Sequence, residues 1–540
     1  MRASELQDRS GFVLKLVKKY WQVLILAVII AISFGLMIFS ARSDSLTNDE
    51  KIHIAAGYLH VWKGEYTFNV EHPPLLNDLA GLFAKIANPQ LPQVSEPNQW
   101  KYADDFFYFS GNNVDKIVFW ARLPFILLTL GLAYLVFLWS NVLFGQKAGL
   151  AAAALTAFSP NILAHGHLAT TDIGLTFFFV LTLWLLRKYY FKPDWLTVIF
   201  LGLILGLVLT AKFSAIVIFP IVMMGFVFLG FRSSRKFAIL AHFLATLMIA
   251  LIVIWVIYVF SMRSELTDFQ LNFWQWFNLP FKKFMLGLNS IFAHNTAGHL
   301  TYLNGQLSSQ GWWYYFPLVL WYKMTLPEII LLVLATFLAF WERKKLAFFD
   351  YFLIIFPPLL FLGVSMLGHL DIGIRHILIF FPFAYIFISQ LAQNNNLFVK
   401  SAVLVLVLGQ AIIGISSFPN YIAYFNQIAG GIEGGRKHLA DSNLDWDQDT
   451  KRLKLYLQKN NINKIYPSLW DHSSLTYYGI KYEDLPKEPI RGVVVISDQW
   501  LKIKRPAFDT DWVIRFPPDD IVGTTLYVWR FDIKSVESRQ

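Results

Sequence analysis

Trp21-Gln22-Val23-Leu24-Ile25-Leu26-Ala27-Val28-Ile29-Ile30-Ala31-Ile32-Ser33-Phe34-Gly35-Leu36-Met37-Ile38-Phe39 is a run of 19 residues without an ionisable side chain, and Lys15, Lys18 and Lys19 precede it. As an α-helix it rises about 30 Å, the thickness of a bilayer's hydrocarbon core. It is too long for a signal-peptide core and reads as a signal anchor whose N-terminus is cytoplasmic. Similar runs follow at about 117–143, 148–165, 172–187, 195–211, 213–230, 237–260, 315–340, 350–367, 377–392 and 398–416, which makes eleven expected spans. The fold class is therefore a polytopic α-helical membrane protein.

Composition agrees with that reading. Hydrophobic residues make up 56% of the 540 and charged residues 15%, with 50 Phe, against roughly 45–50% and about 25% in soluble domains. So little charge cannot cover several water-facing globules, which excludes a cytosolic enzyme and a disordered chain. The formal charge of +10 does not imply nucleic acid, because the basic residues cluster beside the apolar runs. With eleven crossings from a cytoplasmic N-terminus, Lys147, Arg187/Lys188/Lys192, Arg232/Arg235/Lys236, Arg343/Lys344/Lys345 and Lys400 all fall inside, as the positive-inside rule requires. No Cys is present, so disulfides and thiolate chemistry are excluded.

The same parity places loops 42–115 and 261–314 and the tail outside the cytoplasm, dividing the chain into a membrane domain, 1–416, and an extracytoplasmic C-terminal domain, 417–540. In the tail, Leu453, Leu455 and Leu457 sit in a helical pattern, and Ile465–Trp470, Gly492–Ile496 and Leu526–Phe531 read as strands, giving a small α/β domain. No Walker-type phosphate loop occurs, which argues against ATP-driven transport.

Candidate chemistry gathers in the expected outer loops. Thr47-Asn48-Asp49-Glu50 is a capping box that starts a helix, and it also sets Asp49 at that helix's start beside the membrane. Glu71-His72-Pro73-Pro74 holds Glu71 and His72 on a stiff turn, because proline forces the preceding residue out of helical geometry. Asp172 opens the span at 172, where an acid is a cap by default. His165 and His167 alternate before it, a weak metal signal. The run Asp441, Asp445, Asp447, Asp449 lacks the Gly and Glu of a calcium-binding EF-hand loop, Thr450 and Tyr456 standing there.

Together, Asp49-Glu50 after the first span, Glu71-His72-Pro73-Pro74-Leu75, and Thr171-Asp172 resemble the polyprenyl-phosphate-sugar-dependent glycosyltransferases of the GT-C fold. The nearest likeness is to the bacterial branch of the protein O-mannosyltransferase family, glycosyltransferase family 39. Lys323-Met324-Thr325-Leu326-Pro327, Gly373-Ile374-Arg375-His376 and Asp441-Ser442-Asn443-Leu444-Asp445 are similar to segments of that family. The likeness covers about 44–450. Lipid A aminoarabinose transferases are also similar in the first loop, with Lys in place of His72.

The resemblance implies transfer of a hexose, mannose-type favoured, from a polyprenyl-phosphate donor to an acceptor hydroxyl on a protein, lipid or glycan. It implies Asp49 as general base, with Glu50 and Asp172 as further catalytic carboxylates. Glu71, His72, Lys323, Arg375 and His376 would bind the donor and its phosphate. Cations within apolar runs are functional candidates by default, Arg forking onto two phosphate oxygens. Snorkelling is the alternative for Lys323, and a salt bridge to Asp371 that for Arg375. Asp441, Asn443 and Asp445 would serve the acceptor or the outer domain. A divalent metal is left open, nucleic acid is not a partner, and a lipid or glycan transporter with an outer binding domain is the competing class.

Overall fold

The computed structural model describes residues 3–93, 96–268, 270–342, 346–504 and 511–531, with side chains of the first helix from Tyr20 onward. Arg343, Lys344 and Lys345, and the side chains of Lys15, Lys18 and Lys19, lie outside the described residues.

The apolar run that opens the chain lies in α1 (Ala3–Ser43), and a charged segment then folds into α2 (Asn48–Lys63), α3 (Pro74–Ala84) and α4 (Gln99–Asp104). Helices α2 and α3 cross very closely. A Cβ at Gly57 would overlap the Asn77 carbonyl, and one at Gly81 would overlap the Gly57 backbone, so only glycine allows this approach. The apolar series continues with α5 (Val114–Phe144), α6 (Gln146–Ala157), α7 (Pro160–Gly166), α8 (Thr171–Phe191), α9 (Trp195–Ala211), α10 (Ile218–Arg232) and α11 (Lys236–Ser261). Then come α12 (Arg263–Asp268), α13 (Phe273–Ala297) and a hairpin of β1 (Thr301–Leu303) and β2 (Gln306–Ser308). Helices α14 (Tyr315–Lys323), α15 (Leu326–Glu342), α16 (Phe348–Met366), α17 (Phe380–Ser389) and α18 (Leu397–Ser416) complete the bundle.

Among the described residues seven helices are long and apolar enough to cross a membrane, and eight if the α14–α15 pair, bent by 113°, is one span. The expected count of eleven is thus reduced. The run 148–165 breaks at Ser159, since Pro160 opens α7 and forces its predecessor out of the helix. Its longer piece, α6, has 12 residues and rises only about 18 Å. The runs at 195–211 and 377–392 give α9, with 17 residues, and α17, with 10, also below the usual spanning length.

Beyond 417 a four-stranded sheet has the order β3-β4-β6-β5, built from β3 (Tyr466–Ser468), β4 (Gly492–Ser497), β5 (Asp520–Val522) and β6 (Leu526–Phe531). The β3–β4 pair is parallel and the others antiparallel. The helix Thr450–Lys459 buries Leu453 and Leu457, one turn apart, while Leu455 faces solvent, as a 3.6-residue period requires.

The segment linking α18 to this sheet is tied to the start of α2. Asn48 N–H donates to the Trp446 carbonyl at 3.2 Å and Ser45 N–H to the Gln448 carbonyl at 3.0 Å, while Arg452 holds Asp44 at 2.5 Å. These contacts set Trp446 and Asp441 over the first turn of α2.

Candidate active site

A cavity of about 570 Å³ opens where α2, the 69–72 turn, the α9–α10 break, α13, α16 and the 441–446 segment meet. Its lining combines carboxylates, cations and histidines with apolar side chains including Val217, Leu288, Ile291, Phe292, Phe361 and Val364.

The capping box at Thr47 forms as the sequence suggests, and it separates two neighbouring carboxylates. Glu50 turns inward. It accepts from Thr47 N–H at 3.1 Å and Ala169 N–H at 2.7 Å, and from Arg122 Nε at 2.8 Å and Nη2 at 2.6 Å. Burial pushes this carboxyl up, but Arg122 outweighs burial and holds it below the usual range. Arg122 also donates to the carbonyls of Ala41, Asp44 and Ser45. Glu50 is fully buried and does not line the cavity; through Arg122 it ties α2 to α5 and to the end of α1.

Asp49, about 100° further round the helix, faces the cavity and keeps 28% of its side chain exposed. Arg375 Nη1 donates to Asp49 Oδ2 at 2.7 Å, and the Trp446 indole N–H approaches Oδ1 at 3.4 Å. Burial raises the proton affinity of Asp49, yet the charge and hydrogen bond of Arg375, with His53, together outweigh it and hold the carboxyl below the usual range.

Arg375 sits on a single 3-10 turn, Ile374–Ile377, and is fixed from three sides. Ser442 Oγ accepts from its Nε at 3.1 Å, and its guanidinium lies 4.4 Å over the Trp446 ring. The preceding Gly373 has φ 149°, and a Cβ there would collide with the same Ser442 Oγ, so glycine is required. Asp371, the sequence alternative as Arg375's partner, instead accepts from Trp312 N–H at 2.7 Å.

Asp172, at the first turn of α8, is buried. Its Oδ1 accepts from Lys212 Nζ at 2.7 Å, while Oδ2 lies 3.9 Å from Arg375 Nη1 with no hydrogen-bond partner among the described residues. Lys212, Asp172, Arg375 and Asp49 thus alternate in charge, and all but the buried Asp172 line the cavity.

Glu71 and His72 reach the same space from a turn closed by His72 N–H donating to the Asn69 carbonyl at 2.9 Å. Burial pushes Glu71 up. His72 packs edge-on against His53 with ring centres 4.8 Å apart, and His376 completes the group. Burial, reinforced by nearby positive charge, holds both His72 and His376 well below the ordinary imidazole range. Neither His72 Nδ1 nor His376 Nε2 has a hydrogen-bond partner among the described residues.

Lys323 is elsewhere. Its ammonium donates to the carbonyls of Ile422 at 2.8 Å and Asn443 at 2.7 Å and lies 4.4 Å from the Phe425 ring centre. It is 1% exposed and absent from the cavity lining, and the contacts it makes are these structural ones. Asp441 does line the cavity. Asn443 does not: its Oδ1 accepts from Ile374 N–H at 3.0 Å, positioning the Arg375 turn. Asp445 accepts from Gln499 N–H at 3.0 Å, and burial pushes it up to about 7. His167 is held between the Leu163 carbonyl and Asp44. Among the described residues no three His, Asp or Glu side chains converge to hold a metal ion.

Sequence reasoning missed Lys212, His53 and Arg122. Lys212 had a signal, since it is the single charge between Trp195 and Gly230. Arg122 had the same signal, as the single charge between Ile117 and Leu143; His53 had none, because its role arises from distant partners.

Residues 113–259 match the family model of dolichyl-phosphate-mannose-protein mannosyltransferase. No curated protein matches the sequence. Among solved structures, ArnT from Cupriavidus metallidurans in the apo state is similar at TM-score 0.50 and 13% identity, covering 95% of this chain and 98% of that one. The same protein bound to undecaprenyl phosphate matches at TM-score 0.50 and 11% identity, covering 93% and 97%. The chain has the GT-C fold and, with the matched mannosyltransferase segment, is a membrane glycosyltransferase.

Proposed function

We propose that this GT-C glycosyltransferase moves a hexose, mannose-type favoured, from a polyprenyl-phosphate donor to an acceptor hydroxyl by a single inverting displacement at the extracytoplasmic face. The observation that carries the reading is the cavity whose lining joins Asp49, Arg375 and Lys212 to apolar side chains such as Leu288 and Phe361, with Asp172 buried against Lys212. A lipid-linked sugar is half isoprenoid and half anion, and the cavity offers a matching surface to each half.

In this reading Arg375 and Lys212 take the donor phosphate, Arg375 through its fork and Lys212 as a point charge. Glu71 and His72 line the donor's sugar. The Asp49 carboxylate accepts the proton of the acceptor hydroxyl as its oxygen bonds to the anomeric carbon and the carbon–oxygen bond to phosphate breaks. Polyprenyl phosphate leaves, its charge matched by the two cations. Donor binding also tunes the base: a phosphate that draws Arg375 away removes the charge that depresses Asp49, so its proton affinity rises when the donor is in place. The solved ArnT structure with undecaprenyl phosphate supports a lipid phosphate as the class of ligand. The loops 42–115 and 261–314 and the segment from 417 onward are extracytoplasmic in this account.

The test is reconstitution into liposomes with a panel of polyprenyl-phosphate hexoses, reading release of polyprenyl phosphate. Release with at least one donor is expected. Movement of intact donors across the bilayer without bond cleavage would establish the transporter alternative instead.

A further inference from the structure

His53 lies one helical turn beyond Asp49 on α2, on the same side of the helix. It lines the cavity with Asp49 and is 3% exposed. Its Nδ1 is 2.7 Å from Asn77 Oδ1 and 3.0 Å from Asn69 Nδ2, so an acceptor and a donor flank one ring nitrogen. Burial outweighs the pull of Asp49, Asn77 and Asp172 and holds the imidazole below its ordinary range. The ring is therefore neutral near pH 7, and Nδ1 has a partner in either tautomer, donating to Asn77 or accepting from Asn69.

The residues that His53 touches bracket one turn. Asn69 opens it in the left-handed conformation, at φ 58°, which a short amide side chain tolerates. His72 within the turn meets the ring edge-on, and Asn77 stands in the first turn of α3 just after it. The turn has other supports: Tyr66 Oη donates to the His72 carbonyl at 2.9 Å, and Asn69 N–H donates to Gln99 Oε1 at 3.0 Å. Neither comes from α2. Among the described residues, the side chain of α2 that hydrogen-bonds this turn is His53.

We infer that His53 is a positioning residue for the transfer, holding Glu71 and His72 on the turn at a fixed place relative to Asp49 on the helix. This rests on the transferase reading above, in which Asp49 serves the acceptor hydroxyl and Glu71 and His72 line the donor's sugar. The attacking oxygen and the anomeric carbon must meet in line at about 3–3.5 Å, and an error of about 1 Å costs about 10²-fold in rate. A helix and a turn that each hold one reactant therefore need a rigid link. A neutral ring held at Nδ1 supplies that link and adds no charge beside the base. A proton carrier would instead work through Nε2, which makes the two roles separable.

The test uses the full chain in proteoliposomes, with the members of the polyprenyl-phosphate hexose panel that the wild type cleaves, reading release of polyprenyl phosphate at saturating donor. The amide of His53→Asn places a polar atom where Nδ1 stood, whereas that of His53→Gln reaches the place of Nε2. His53→Ala and His53→Gln are expected to lower kcat about 10²-fold. His53→Asn is expected to stay within about tenfold of wild type, the scale of one altered hydrogen bond, and to keep the shape of the wild-type pH profile. Monodispersity and undecaprenyl-phosphate affinity close to that of the wild type show that each variant is folded; His60 Nδ1 still lies 2.9 Å from Asp78 Oδ1 between the same two helices. Wild-type kcat in the Ala and Gln variants overturns the inference. So does an active Gln variant beside an inactive Asn variant, or a limb of the pH profile lost in His53→Asn, since either makes His53 a proton carrier. A loss in all three variants that only follows the folded fraction overturns it as well, leaving a structural role. If the wild type cleaves no donor, the transferase reading fails and the positioning role falls with it.

Discussion

Lys212 Nζ and Asp172 Oδ1 are 2.7 Å apart, joining the break between α9 and α10, where Lys212 lines the cavity, to the first turn of α8. The pair is nearly buried, so each charge depends on the other. Replacing Lys212 with Met strands the Asp172 carboxylate, a loss of about 3–5 kcal/mol for a broken buried pair. Thermal unfolding of Lys212→Met should therefore show a lowered midpoint. The double variant Lys212→Met/Asp172→Asn should recover much of it while still failing to bind undecaprenyl phosphate tightly. Recovered binding in the double variant would remove Lys212 from the phosphate site.

Lys323 and Arg375 separate cleanly in a donor-binding measurement. Arg375→Ala should weaken polyprenyl-phosphate binding by tenfold or more, through loss of a charge-assisted contact worth about 1.5–3 kcal/mol. Lys323→Met should leave the affinity of the folded protein unchanged. It should instead lower stability by about 1–3 kcal/mol per stranded carbonyl at Ile422 and Asn443, read as a lower unfolding midpoint.

Much of the architecture is legible in the sequence because lipid leaves few options: long apolar runs become helices, and the runs at 21–39, 117–143 and 237–260 do so at full length. What escapes is length set by local breaks, as at Ser159-Pro160, and the aim of side chains set by remote partners. Asp49 and Glu50 are adjacent, and only Arg122, more than 70 residues on, decides that Glu50 is structural. Lys212 and Lys323 are each lone cations near apolar helix ends. The carbonyls of Ile422 and Asn443 claim Lys323, and nothing near it in sequence says so. The structure brings Asp49, Glu71, His72, Arg375, His376 and Asp441 to one cavity, with Asp172 buried beside Lys212 and Arg375, and their chemical roles are the proposal above.

Glu50→Gln tests the clamp. It keeps the shape and the capping contact yet removes the charge facing Arg122, leaving a buried guanidinium short of its partner. A loss of about 3–5 kcal/mol is expected, seen as reduced thermal stability. A normal midpoint with lost turnover would return Glu50 to a catalytic role.

Asp445 gives a pH signature. Its folded pKa, about 7, lies above the ordinary carboxyl value of about 3.9. The folded state therefore binds more protons between these values, and stability falls as pH rises through that window. Asp445→Asn should flatten the decline of the unfolding midpoint between about pH 4 and 7, since Asn stays neutral and can still accept from Gln499 N–H. An unchanged slope would mean that Asp445 does not titrate in this range.

The most direct test of the central claim is sugar transfer by Asp49→Asn in proteoliposomes, with donor binding measured on the same preparation. Asn preserves the size of the side chain at the helix start but cannot take the acceptor's proton. Transfer should fall about 10²–10⁴-fold while polyprenyl-phosphate affinity stays within about tenfold, the scale of one altered Arg375 contact. Transfer above about a tenth of the wild-type rate would contradict the account, because a residue acting as the general base cannot be replaced at so small a loss.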